Sequence, residues 1–106
     1  MAPNRRPKVT FVNIRDIKYD EGDIGILQQA IGKWADEVSP VRTPFNALLK
    51  LVMEEIPGFL QNTGDPDEYA DLVILILDIG YLCGVEVRQA VLDKMQANRA
   101  RIAMQR

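Results

Sequence analysis

The stretch from Asp65 to Gly84 constrains this chain more than any other part of it. It opens with a helix start signal: Asp65 as N-cap, Pro66 at the first helical position and Glu68 three residues after the cap. The run that follows, Leu72-Val73-Ile74-Leu75-Ile76-Leu77, is apolar almost all the way round, the mark of a helix packed on several sides. Yet Glu68, Asp71 and Asp78 fall at offsets 0, 3 and 10, so a 3.6-residue period strings them along one stripe. A buried carboxylate is costly unless it is paired or bound to a metal, so acids aligned on such a helix ask for cations. Each also has a plainer use. Glu68 can complete a capping box with Asp65, and Asp71 and Asp78 can each pair with an Arg or Lys.

With 106 residues the chain is sized for one domain and a modest core. Thirteen Lys and Arg against fifteen Asp and Glu leave a net charge of −2. That balance gives no case for a nucleic-acid partner, although both termini are basic (Arg5, Arg6 and Lys8; Arg99, Arg101 and Arg106). There is no histidine, which excludes Ser-His-Asp and Cys-His chemistry and zinc sites that need imidazole. Any metal would be oxygen-ligated: Mg²⁺, Mn²⁺ or Ca²⁺. The single cysteine, Cys83, cannot form an internal disulfide and is expected in the core. No signal peptide is visible, and Leu72–Leu77 is far short of the roughly 20 apolar residues a membrane span needs. The expectation is a cytoplasmic protein with no membrane partner.

Residues 1–22 read as an N-terminal arm: a basic, Pro-containing start, an alternating stretch (Val9, Phe11, Ile14) and a turn at Tyr19-Asp20-Glu21-Gly22. Residues 23–106 read as a helical domain. Asp23 caps a first helix over Ile24–Val38, whose apolar stripe holds Ile24, Leu27, Ile31, Trp34, Ala35 and Val38. Core packing is the first expectation for Trp34, and stacking on a nucleobase the alternative. Thr43 and Pro44 start a second helix running from Phe45 to about Leu60, and Pro57-Gly58 should kink or unwind its last turn. Glu55 lies within this helix's apolar face, and Glu54 is rotated about 100° away. Gly84 ends the third helix, and a fourth runs from about Val85 to Met104, its stripe of Val87, Val91, Lys94, Asn98 and Arg101 turning from apolar to basic. Four helices with short connectors make an all-α bundle.

The second and third helices thus offer carboxylates: Glu54 or Glu55, Glu68, Asp71 and Asp78. Such acids can hold Mg²⁺, which binds carboxylates and substrate phosphates together. Lys94, Asn98 and Arg101 supply donors for the remaining phosphate oxygens. Without His or an evident nucleophile, the natural reaction is hydrolysis of a phosphate by activated water. The plain reading is a four-helix domain whose acids and bases form surface pairs of little worth.

Several of these segments resemble one family. Leu51-Val52-Met53-Glu54-Glu55 is similar to the first half of the EExxE motif of MazG-like, all-α nucleoside triphosphate pyrophosphohydrolases, and Glu68-Tyr69-Ala70-Asp71 to their ExxD motif. Lys94-Met95-Gln96-Ala97-Asn98-Arg99-Ala100-Arg101 resembles the family's C-terminal block, and Arg42-Thr43-Pro44-Phe45-Asn46 with Lys50 the opening of its second helix. The resemblance spans about residues 28–104 and is strongest to the small phage MazZ-type enzymes. It implies a metal-dependent homo-oligomer, dimer or tetramer, with sites near subunit contacts. It implies conversion of dGTP, and of GTP, to the monophosphate and pyrophosphate, with dGMP feeding 2-aminoadenine nucleotide synthesis. On this resemblance Glu55 or Glu54, Glu68 and Asp71 ligate Mg²⁺ or Mn²⁺, and Glu54 is alternatively the base that orients water. Lys94, Asn98 and Arg101 hold phosphates, and Lys50 and Asn46 reach the nucleotide; Asp78 joins the ligands from helix phase alone.

One departure matters: three residues after Glu54 and Glu55 stand Pro57 and Gly58, where the family's second acid is expected. The number of metals is therefore open, and a binding or oligomerisation module without turnover is an alternative. So is a relative acting on dCTP or dUTP.

Overall fold

A computed structural model describes residues 23–105 and is helical nearly throughout. The arm expected over residues 1–22 lies outside the described residues. Helix α1 spans Ile24–Val38, with the Asp23 carboxylate accepting the Gly25 amide as its cap. The next three segments run end to end: α2 (Pro44–Lys50), a π-helical turn (Leu51–Glu55) and α3 (Ile56–Gln61). Helix α4 spans Pro66–Cys83 and α5 spans Val87–Met104. The caps read from the sequence are in place, Thr43 accepting the Asn46 amide and Asp65 the Asp67 amide.

The second helix departs from the sequence reading. Its irregularity lies one turn upstream of Pro57 rather than in the last turn. Pro57 has no N–H, and its ring crowds the carbonyl four residues before it, so the helix widens there. The Ile56 amide reaches back to the Leu51 carbonyl, an i to i−5 bond, and the rod continues through Gln61.

Helices α1 and α4 form the heart of the bundle, where Ala30, Ile31, Ala35 and Leu77 are buried. They approach closely because Gly32 has no side chain; a Cβ there would run into the Tyr81 ring. Helix α4 is not covered on all sides as its composition implies, for Tyr69, Val73 and Ile76 remain exposed within one chain. Cys83 is exposed rather than core, because it is the last residue of α4 and the chain turns away at once. That turn is a Schellman motif: Gly84, in the left-handed region at φ 72°, donates to Tyr81 and Val85 donates to Gly80.

Helix α5 starts at Val87, two residues later than expected, and one buried side chain fixes its start. Gln28, on α1, donates to the carbonyls of Leu77 (3.1 Å) and Val85 (2.8 Å) and accepts the Val87 amide (3.1 Å). The Asp23–Arg88 pair beside it is exposed and worth little. Beyond this anchor α5 is largely exposed. Replacing Gln28 by Leu strands the Val85 carbonyl and Val87 amide, and should cost about 2–3 kcal/mol. Urea denaturation should read that loss, with faster exchange of the Val87 amide proton.

Candidate active site

A cleft of about 560 Å³ opens between α1, the α2 rod and α4. Ile31, Trp34, Ala35 and Val38 line it from α1, Ser39 from the connector, Lys50 and Glu55 from the rod, and Asp71, Ile74, Leu75 and Asp78 from α4. Trp34 is 41% exposed, so its indole is a wall of this cleft rather than part of the core.

Helical phase and the π turn separate the two neighbouring glutamates. The Glu55 side chain is 16% exposed and turned into the cleft, whereas that of Glu54 is 66% exposed. Lys50 bridges them, its Nζ lying 3.0 Å from Glu54 Oε1 and 3.0 Å from Glu55 Oε2. Those two bonds, Glu54's first, hold the Lys50 ammonium above its usual pKa.

Asp78 has a different environment. It sits under Arg42, whose Nε donates to Oδ2 at 2.7 Å and whose second amino group donates to Oδ1 at 2.8 Å. The two side chains are 8% and 11% exposed, so this is a buried bidentate pair. Arg42 also donates to Asp36 at 2.9 Å and to the carbonyls of Gly32 and Ser39. Tyr81 donates its hydroxyl to Asp36 at 2.8 Å, extending the network one turn along the same face of α4. The Asp78 bond raises the Arg42 guanidinium's pKa above its usual value, and the Asp36 bond adds to that. The plain alternative weighed for Asp78, pairing with an arginine, is the arrangement present. Arg42 was visible only as part of a helix-opening segment, since a partner 36 residues away leaves no local signal.

Glu68 lies one turn of α4 from Asp71, with its carboxylate over Gly58 of α3. Loss of solvent raises its carboxyl pKa first, and the negative field of Asp65, Asp71, Glu55 and Asp67 adds to that. Acids repelling one another across two helices form an all-oxygen donor set suited in chemistry to a hard dication. Among the described residues no three acids already converge as a cage.

The remaining candidates stand elsewhere. Asn46 is exposed in the first turn of α2 and is not among the described cleft-lining residues. Lys94, Asn98 and Arg101 lie on the outer length of α5, and none of them lines the cleft within one chain. Asn98 instead edges a separate hollow with Met95 and Ile102.

No profile of a known protein family matches the chain. Individual relatives do. A dATP/dGTP diphosphohydrolase of Salmonella phage PMBT28 is 39% identical over 84 residues, 79% of this chain and 29% of that protein. A dATP/dGTP diphosphohydrolase of Cyanophage S-2L is 40% identical over 77 residues, 71% of this chain and 72% of that one. The chain thus spans less than a third of the Salmonella phage protein and most of the cyanophage one. A solved structure of the Cyanophage S-2L MazG-like pyrophosphohydrolase, bound to dGDP and three catalytic Mn²⁺ ions per active site, has the same fold. Its TM-score is 0.64 at 39% identity, covering 73% of this chain and 77% of that chain.

Two outcomes follow from the Arg42 network. Arg42→Ala leaves a buried carboxylate unpaired and should cost about 3–5 kcal/mol in chemical denaturation, where Asp36→Ala should cost far less. The Tyr81 hydroxyl, then Arg42, holds the Asp36 carboxyl below its usual range. A depressed carboxyl pKa contributes stability above the unfolded-state value and loses it as pH falls through the folded value. The difference in Tm between wild type and Tyr81→Phe should therefore be present at neutral pH and shrink as pH falls below the ordinary carboxylate range.

Proposed function

The chain belongs to the MazG-like all-α pyrophosphohydrolases, and from that premise we propose that it cleaves dGTP, with GTP as a second substrate, between the α- and β-phosphates. The products are the nucleoside monophosphate and pyrophosphate. The observation that carries this reading is the one cleft that joins an exposed indole, the Lys50 ammonium and the Glu55 and Asp71 carboxylates. The cyanophage relative's bound dGDP and Mn²⁺ support it. The MazZ-type resemblance extends the reading to dGMP as a precursor for 2-aminoadenine nucleotides. No helix among the described residues is long and apolar enough to cross a membrane.

In this reading Trp34 offers its ring face to the base, where a purine gains the larger stacked area. Lys50 releases its glutamates and meets phosphate oxygens. Glu55, Glu68 and Asp71 hold Mg²⁺ or Mn²⁺. Glu54, outside the cleft wall, steers Lys50, and Asp78 stays with Arg42 as a structural anchor. A dication held by these residues would supply charge neutralisation at the phosphates and a more electrophilic phosphorus. Ile31, Ile74 and Leu75 add apolar lining beside these charged contacts.

We also propose a homo-oligomer. The exposed apolar residues Val73 and Ile76 on α4 and Val91, Leu92 and Met95 on α5 give it a surface. Such an assembly accounts for the distance of α5 from its own cleft: phosphate contacts come from Lys94, Asn98 and Arg101 of the partner subunit.

Gly58, standing where an acid is expected, favours a second reading, a nucleotide-binding module without turnover. Product analysis with Mg²⁺ and each of dGTP, GTP, dATP, dCTP and dUTP separates the two. Monophosphate and pyrophosphate should form fastest from dGTP. Asp71→Ala and Glu55→Gln should each lower the rate about 100-fold or more, and EDTA should abolish it. Nucleotide binding with no pyrophosphate release establishes the module instead, and preferential turnover of dCTP or dUTP overturns the base assignment.

A further inference from the structure

Gly58 is a residue whose missing side chain has a use. It stands on α3 opposite Glu68 of α4, and a Cβ built on it would lie 2.9 Å from Glu68 Oε1, 3.6 Å from Cδ and 3.7 Å from Oε2. The near oxygen of the Glu68 carboxylate therefore lies where a side chain at position 58 would crowd it, with the rest of the group in ordinary contact distance. Backbone conformation does not require glycine here, because among the described residues only Gly84 has a positive φ. Helix propensity argues against it, since glycine in a helical rod is destabilising relative to alanine.

The two helices cannot simply part to make room. One residue along on each side, Phe59 and Tyr69 meet edge to face, with ring centroids 4.9 Å apart and planes at 86°. That contact fixes the spacing of α3 and α4 beside the crowded point. The displacement caused by a new Cβ must fall on the movable group, the Glu68 carboxylate.

We propose that Gly58 is a positioning residue: its bare backbone leaves the Glu68 carboxylate the room from which it serves as a metal ligand, so the acid from α4 takes the room of an acid on α3. The inference rests on the reading of Glu68 as a metal ligand. It turns the departure at position 58 from a missing ligand into the condition under which Glu68 is correctly placed.

Mn²⁺ binding to the full chain, followed by calorimetry and by the loss of the free-ion electron paramagnetic resonance signal, tests this alongside metal-free melting. Glu68→Gln should weaken Mn²⁺ binding, which establishes Glu68 as a ligand. Gly58→Ala should melt at or above the wild-type temperature without metal, yet bind Mn²⁺ about tenfold or more weakly. A stabilised protein that has lost metal affinity is an outcome that a merely structural glycine does not give. Wild-type Mn²⁺ affinity in Gly58→Ala overturns the inference. So does a lowered metal-free melting temperature, because the backbone would then be absorbing the collision. Failure of the metal reading looks different: wild-type protein that takes up no Mn²⁺, or Glu68→Gln that binds like wild type, overturns both.

Discussion

The arrangement of this molecule depends on the buried pair between Arg42 and Asp78. Asp78 lies on the most apolar helix of the chain, where an ionised carboxylate is tolerated only with a close counter-charge and filled lone pairs. Arg42 supplies both through two short parallel bonds. The same guanidinium reaches Asp36 and the Gly32 carbonyl on α1 and the Ser39 carbonyl in the connector. A single planar group thus ties α1, α4 and the connector together. The α2 rod begins two residues later, at Pro44, so the pair anchors the chain just before the rod that carries Lys50 and Glu55 into the cleft.

Features encoded within four residues of themselves were legible in the sequence. Asp23, Thr43 and Asp65 cap where they should, because a cap is a bond between a side chain and an amide two or three residues on. Gly84 ends α4 for an equally local reason. The π turn was half legible: Pro57 announced an irregularity, but where the strain settles depends on how the rod packs. Features that depend on distant partners were not legible. Trp34 and Cys83 sit in stripes that suit a core, yet what covers a stripe is decided by elements far along the chain. The stripe of Glu68, Asp71 and Asp78 is real in helical phase, but its three members meet different neighbours. Glu68 meets Gly58, Asp71 the cleft and Asp78 an arginine.

The all-round apolarity of α4 carries a further lesson. Within one chain α1 and the rod cover part of its surface, and Tyr69, Val73 and Ile76 stay open. Helix α5 repeats the pattern, anchored at its start by Gln28 and largely exposed thereafter. Hydrophobic patterning records every surface that is buried in the working form of a protein, whichever chain covers it. A single protomer accounts for only part of the pattern in these two helices, and the proposed homo-oligomer accounts for the rest.

Charge balance links the cleft to its proposed chemistry. Lys50 is the local answer to Glu54 and Glu55, and Arg42 the answer to Asp78, but loss of solvent, and then the acids around it, raise the Glu68 carboxyl pKa. Their mutual repulsion is a cost that the folded chain carries alone and that a dication relieves. In the proposed reading a metal–triphosphate complex would bring positive charge to those acids and negative charge to Lys50 together. Each partner of the existing Lys50–Glu55 bond is then better satisfied by the incoming pair than by the other, so binding is an exchange of ion pairs rather than the burial of new bare charge. Such an exchange needs room for the acids to close on the metal. For that reason a small change of room beside Glu68, as at Gly58, bears on the chemistry more than on the fold.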